Sequence, residues 1–352
     1  MKHFFTYLVY RLVSISSSFI GITAIVYASL LLFTPEARAS LYLSPRGNRT
    51  PETTQQLISQ FIERYQFDDP FHIQYPRWFF NLFQGRWGHS PLFNADVFDV
   101  ITLYAPTTLE LLLYSLILFL PLGVFMGALS GRRKDTTLDH AIRYATFIAS
   151  SIPLFVLAFV FLAVFYVALG WFAPGRLDVL NTVYVNSPSF QSFTGFMTID
   201  GLLNGRFDIC VDALRHLVMP AITLSILHWA TLTRLTRALV IEESYKDYVL
   251  AARSRGLEEK RITWRHILIN CLSPILTTTA LTAATLTTEL FIVELIFNYK
   301  GLTQLIDTVQ GIPDGFAIMG FIVVNLALTL LLIFILDVLK AFVDPLIREE
   351  VV

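Results

Sequence analysis

Apolar residues in this chain come in blocks longer than a soluble core requires. Residues 9–33, 105–130, 142–170, 217–238, 273–297 and 316–342 are each dominated by aliphatic and aromatic side chains. A bilayer core about 30 Å thick needs roughly 20 such residues per helix, so the pattern predicts an all-α membrane protein with six transmembrane helices. Residues 1–33 are expected to form an N-terminal transmembrane helix, 34–104 a long external segment, and 105–348 a core with five further spans. Lys2, Arg11 and the small residues of Glu36-Ala-Arg-Ala-Ser40 also suit a signal peptide. The run 12–33 is nevertheless long enough to span and is read as a retained helix.

The longest polar interval, 242–274, has helical periodicity of its own. Ile241, Tyr245, Tyr248, Val249 and Ala252 fall on one face, and Glu243, Lys246, Asp247, Leu250 and Arg253 on another. Gly256 follows where a helix can stop in a left-handed conformation. Glu258 and Glu259 then suit the positive end of a second helix, which carries Arg261, Arg265 and His266 into the apolar residues beyond Pro274. The expectation is helix, glycine elbow, helix, with a push on the elbow delivered directly to a membrane span. The competing reading is a merely solvated connection.

Other intervals predict less. Thr50-Pro51-Glu52 reads as a helix start, followed by the stripe Leu57, Ile58, Phe61, Ile62 and Tyr65. The aromatic run Tyr75, Trp78, Phe79, Phe80, Phe83 and Trp87 suits a membrane–water interface or packing on the bundle. Residues 171–216 are turn-rich and read as an exposed external cap. Within the spans, Gly123 and Gly127 have the spacing that lets helices approach closely. Pro153 and Pro220 are expected to interrupt the third and fourth helices. Glu110, Glu289, Glu294 and Asp337 are candidate pathway groups, because ionisable side chains at membrane depth are costly.

Composition agrees with the pattern: 55% of residues are hydrophobic and 15% charged, against about 25% charged in soluble domains. A net charge of −1 gives no reason to expect nucleic acid as a partner. The placement of charge says more. Basic residues concentrate in the Gly131-Arg-Arg-Lys134 turn and in the 242–272 interval, which predicts that both are cytoplasmic, along with both termini. Cys210 and Cys271 should lie near opposite membrane faces, unpaired.

Recognisable catalytic chemistry is missing. The chain has no G-x-x-x-x-G-K-[ST] loop, so it cannot be its own P-loop ATPase. It has neither an H-E-x-x-H pair nor a G-x-S-x-G elbow, and its seven histidines read as packing or interface residues. No enzyme, metal or cofactor function of its own is expected.

Several stretches resemble one family. His216-Leu-Val-Met-Pro220-Ala-Ile-Thr-Leu, Asp247-Tyr-Val-Leu-Ala-Ala252-Arg253-Ser-Arg-Gly256-Leu257, Arg265-His266 with Asn270 and Pro274, Glu294-Leu-Ile-Phe297 before Gly301-Leu302, and Asp344-Pro-Leu-Ile-Arg348 are similar to the permease subunits of bacterial peptide-type ABC importers. Phe71-x-x-Gln-Tyr75-x-x-Trp78, Pro106-Thr-Thr-Leu-Glu110 and Ser151-Ile-Pro153-Leu-Phe155 extend the likeness to the first half. The resemblance implies a type I, MetI-like permease core in the bacterial inner membrane. It implies a second homologous permease subunit, two ABC ATPases that use ATP and Mg2+, and an external substrate-binding protein as partners. It further implies that Glu243, Asp247, Tyr248, Ala251, Ala252, Arg253, Gly256 and Leu257 form the coupling surface for one ATPase, in an EAA-type loop over 242–272. Cargo would be di- or oligopeptides, or alternatively nickel, glutathione, opines, oligosaccharides, polyamines or antimicrobial peptides. A rival from another class is a secondary transporter driven by ions through Glu110, Glu289, Glu294 and Asp337.

Overall fold

A computed structural model describes residues 2–43, 50–306 and 314–343. The Asp344-Pro-Leu-Ile-Arg348 stretch lies outside these. In chain order the helices are α1 (Lys2–Leu30), α2 (Pro35–Ser40), α3 (Pro51–Tyr65), α4 (Phe71–Phe83), α5 (Val97–Arg132), α6 (Thr137–Ser151), α7 (Leu154–Phe161, continued as a π-helix over Leu162–Ala168), α8 (Val179–Val185) and α9 (Met197–Leu203). There follow α10 (Phe207–Glu243), α11 (Asp247–Ser254), α12 (Glu259–Ile262), a π-turn over Thr263–Ile267, α13 (Leu268–Leu281), α14 (Ala283–Ile296) and α15 (Gly315–Val343). The described strands are two residues each, His89–Ser90 and Ala95–Asp96, paired antiparallel.

Among the described residues four helices, α1, α5, α10 and α15, are each long and apolar enough to cross a membrane. Two bent pairs, α6 with α7 and α12–α13 with α14, bring the number to six if each counts as one span. The third apolar block is therefore not a straight helix. It turns by 98° between α6 and α7. Pro153 accounts for the break, because its ring disfavours helical geometry in the preceding residue, and Ile152 is extended at φ −93°, ψ 122°. Pro220 behaves otherwise. The expected interruption is absent, and α10 runs unbroken through it for 37 residues. An interior proline costs about 3 kcal/mol, and α10 is the most buried of the long helices, so packing outweighs that loss. The second block also starts earlier than expected, at Val97, with Pro106 inside the helix.

The described residues form two compact units. The first comprises the described residues within 11–106 and 301–330. Here Thr50 caps α3 by accepting from the Thr53 amide at 3.3 Å, with Pro51 at the first helical position. Arg38 donates to the Phe67 carbonyl at 2.7 Å and to Gln74 at 3.1 Å, tying α2 to α4. Tyr75 reaches back to the Ile20 carbonyl at 2.9 Å. The aromatic run thus packs this unit together, although Phe80 and Phe83 remain exposed.

The second unit comprises the described residues within 1–10, 107–300 and 331–343. Its core gathers Leu111, Phe119, Leu224, Leu232, Ile275, Leu286 and Val293 around α10. The small-residue spacing on α5 operates as expected and extends one step further, to Gly131. A Cβ on Gly127 would sit 2.5 Å from Thr236 Cβ and 2.6 Å from the Thr233 carbonyl. A Cβ on Gly123 or Gly131 would likewise lie 2.9 Å from Leu232 or Val240, so α5 and α10 touch backbone to side chain over more than two turns. On the outside, Phe147, Phe155, Phe159 and Val167 are more than half exposed, the surface expected where lipid is the solvent. Cys210 and Cys271 are both buried and unpaired.

Candidate functional site

The polar segment after α10 folds as two short helices joined at Gly256. Helix α10 ends at Glu243, and α11 does not begin until Asp247. Gly256 stands at φ +75°, the left-handed region where a Cβ is unfavourable. The Leu257 amide donates to the Ala252 carbonyl at 3.3 Å, and the Gly256 amide to the Arg253 carbonyl at 2.9 Å. These two bonds are a Schellman motif, which satisfies the last carbonyls of α11. Leu257 packs on the core beside Val249 and Ala252, supplying the apolar contact such a motif usually carries.

Beyond the elbow, α12 is anchored rather than loose. Ile262 and Ile267 are fully buried in the same core as Val249 and Ala252. Trp264 stacks on Phe125 of α5 with ring centroids 5.4 Å apart. The π-turn over Thr263–Ile267 feeds straight into α13, so the elbow and an apolar helix form one continuous run.

One contact was not anticipated. Arg253 Nε donates to Glu259 Oε1 at 2.6 Å and Nη2 donates to Oε2 at 3.3 Å, a two-pronged bridge over the elbow. A third donation, from Nη1 to the Ser244 carbonyl at 3.4 Å, reaches the end of α10's turn. Arg253 is thus engaged within the chain, and Glu259, read from the sequence only as a helix-start residue, belongs with the site. The available signal was opposite charge three residues to either side of Gly256.

The eight residues singled out by resemblance divide into two sets. Asp247, Tyr248, Ala251, Arg253 and Gly256 are exposed, and so are Leu250 and Ser254 beside them. Ala252 is not. At 8% exposure it faces the chain's own core together with Val249, which removes it from the outward surface. Leu257 is half-buried for the same reason. Glu243 also turns inward on its neighbours, accepting from Tyr248 Oη at 2.7 Å and from Lys246 Nζ. Partial burial and that bond to Glu243 push the Tyr248 hydroxyl up to about 12, so it remains a donor at neutral pH. The outward face is Asp247, Leu250, Ala251 and Ser254, flanked by the Tyr248 ring. A cavity of about 190 Å3 lined by Arg132, Lys134, Tyr245, Arg253 and Glu259 adjoins it.

A second bridge, this one with a buried carboxylate, holds the helices behind the elbow. Arg237 Nε and Nη2 donate to the two Asp139 carboxylate oxygens at 2.6 and 2.7 Å, and the Asp135 amide adds a bond at 3.0 Å. This fixes the start of α6 to α10, 98 residues away in sequence.

At the far end of α10, about 55 Å away at 1.5 Å per residue, the segment 171–216 is more ordered than a turn-rich cap suggests. Asp200 is fully buried and accepts from Ser192, from the Thr194 amide and hydroxyl, and from the Gly195 amide. Glu110, also fully buried, accepts from the Thr198 amide at 2.9 Å, the Thr198 hydroxyl at 2.7 Å and Arg176 at 2.7 Å. Glu289 pairs with His228 at 2.8 Å and Glu294 accepts from Thr108. Glu110 therefore fastens the cap to α5 through three accepted bonds.

Comparison with known proteins agrees with this architecture. A family model described as a binding-protein-dependent transport system inner membrane component matches residues 120–349. A di/tripeptide transport system permease protein of Pseudomonas aeruginosa is 30% identical over 342 residues, covering 97% of this chain and 98% of its own length. An oligopeptide transport system permease protein of Bacillus subtilis is 32% identical over 299 residues, covering 85% and 87%. A dipeptide transport system permease protein of Haemophilus influenzae is 30% identical over 346 residues, covering 98% and 100%.

Proposed function

The chain belongs to the family of binding-protein-dependent transport system inner membrane components, and from that membership we propose that it carries di- and oligopeptides as the permease subunit of an ATP-driven importer. The peptide cargo rests on the names of relatives that match the chain almost end to end. A transport family of this kind works with ATPase and substrate-binding partners. We assign one homologous permease and two ATPases to the assembly, with the 242–272 segment and both termini in the cytoplasm.

The observation that carries the mechanism is the helix–glycine–helix segment. A surface displacement at α11 is transmitted through the Arg253–Glu259 bridge to α12, and the π-turn joins α12 to α13 without a flexible break. ATP-driven closure of the ATPase pair would move α11 as a rigid body, and buried Ile262 and Ile267 would pass that motion to the helices around α10. The protein itself needs to supply only shape and stiffness, while Mg2+ and ATP act on the partner subunits. The ion-driven alternative loses its best candidate, because Glu110 is spent on Arg176 and Thr198. Complementation tests the cargo. The importer should let an amino-acid auxotroph lacking its own peptide permeases grow on the dipeptide, and failure with dipeptides but growth on nickel or glutathione would reassign it.

A further inference from the structure

Where α1 ends and α15 begins, the first unit holds a cavity of about 440 Å3. Tyr27 and Leu30 line it from the last turn of α1, and Met319 and Gly320 from the second turn of α15. Both helices are long and apolar enough to cross a membrane, so the cavity lies at the level where apolar chains give way to headgroups. Its charge is one-sided. Arg38, Arg64, Arg77 and Arg86 line it, and no Asp or Glu does. Arg77 is committed to Asp69, donating at 2.9 Å. The other three have no ion-pair partner among the described residues.

Arg38 is 7% exposed, and its surroundings are neutral. Its Nη groups bond Gln74 and the Phe67 carbonyl, its guanidinium lies 5.4 Å from the centre of the Phe67 ring, and its Nε has no acceptor. A full positive charge is therefore buried with dipoles and a ring face alone to offset it, which favours an anion in the adjoining space. Arg64 and Arg86 are exposed, and each can turn its fork onto an oxyanion. The position of the cavity decides which oxyanion. Only 6% of the apolar window of α1 is buried, and Ile22 and Ile25, just before Tyr27, are exposed. A phosphodiester in the cavity would continue into acyl chains along that uncovered face, whereas a soluble anion gains nothing from it. Tyr27 and Trp78, with ring centroids 5.0 Å apart, add the amphipathic rings that suit headgroup depth.

We propose that this cavity binds the headgroup of an anionic phospholipid such as phosphatidylglycerol, its phosphate held by Arg64 and Arg86 over the buried charge of Arg38 and its acyl chains laid along α1. The lipid would brace α3 and the end of α4, which bring Arg64 and Arg86, against the ends of α1 and α15. This proposal does not depend on the peptide cargo.

Phosphatidylglycerol is the probe, added to the delipidated, assembled importer and followed by native mass spectrometry and melting temperature. Phosphatidylcholine, with a phosphate but no net charge, and inorganic phosphate, with charge but no acyl chains, are the comparisons. Lipid also binds elsewhere on a membrane protein, so the double variant Arg64→Gln/Arg86→Gln isolates this site. The wild type should retain one more phosphatidylglycerol than the variant, whose affinity for it should fall about tenfold or more. The rise in melting temperature that phosphatidylglycerol gives the wild type should shrink in the variant, and neither comparison should reproduce it. If the double variant melts lower without lipid, Arg86→Gln alone replaces it under the same criteria. Equal retention and protection in wild type and variant, or protection of the wild type by phosphatidylcholine or inorganic phosphate as strong as by phosphatidylglycerol, overturns the proposal.

Discussion

Gly256 offers the sharpest perturbation of the elbow, because its cost can be worked from geometry alone. The residue stands at φ +75°, and a Cβ built there meets no atom within 4 Å. Substitution therefore introduces no clash, and the penalty is conformational. An L-residue in the left-handed region costs about 1–2 kcal/mol, against which a stiffer unfolded chain returns about 0.4–1. Alanine should lose a net ~1 kcal/mol, which lowers the population of the closed motif about fivefold. Asparagine tolerates this region better and should lose less, whereas valine, branched at Cβ, should lose most. The assay is transport of labelled dipeptide per ATP hydrolysed in proteoliposomes containing the whole importer and its binding protein. Coupling should fall in the order Gly, Asn, Ala, Val, while ATP hydrolysis persists and melting temperature changes little. Equal coupling in all four, or losses that simply follow melting temperature, would refute the elbow as a mechanical joint.

Replacing Arg253 by Ala removes the bridge to Glu259. Both side chains are substantially exposed at 40% and 51%, so global stability should fall by at most about 1 kcal/mol. Amide exchange over 259–262 should nevertheless accelerate, and unchanged exchange would show that the bridge does not stiffen the elbow. Gly127→Leu should be far more damaging, because even its Cβ would lie 2.5 Å from Thr236. Overpacking of about 1–3 kcal/mol should show as a lower melting temperature and poor membrane yield; a variant as stable as the wild type would contradict the close α5–α10 contact. Glu110→Gln leaves Arg176 without its charge partner in a site where Glu110 is fully buried, a loss of about 3–5 kcal/mol. A calorimetric melt should register that loss, and transport by the wild type should survive a protonophore, whereas protonophore-sensitive uptake would restore the ion-coupled alternative.

Much of this was legible in the residue pattern. The apolar blocks, the cap at Thr50, the close approach at Gly123 and Gly127 and the glycine stop at 256 all depend on local chemistry that a sequence displays directly. Contacts between distant residues are another matter. Nothing about Asp139 and Arg237, 98 residues apart, announces that they meet. Glu110 was readable as a costly buried acid, but not as the acceptor for Arg176 and Thr198. Ala252, expected on the docking surface, turns inward for a specific reason. The break over Ser244–Lys246 resets the helical phase, so a wheel drawn continuously from Ile241 puts Tyr245 and Tyr248 with Val249 and Ala252. In the fold only the latter pair turns inward. Proline gave mixed guidance for a similar reason, since Pro153 breaks its helix while dense packing carries α10 through Pro220.

Cysteine cross-linking of α11 in native membranes most directly probes whether this segment seats on an ATPase. Leu250→Cys, more than half exposed, and the neighbouring exposed Ala251→Cys should both capture the ATPase subunit, whereas Ala252→Cys, buried against the core, should capture it poorly. Capture should also change on trapping the ATPases with a non-hydrolysable ATP analogue. Failure of Leu250→Cys and Ala251→Cys in a fully assembled, transport-competent importer, or equally efficient capture from a cysteine placed at Asn204 in the cap, would contradict the coupling role assigned to the 242–272 segment.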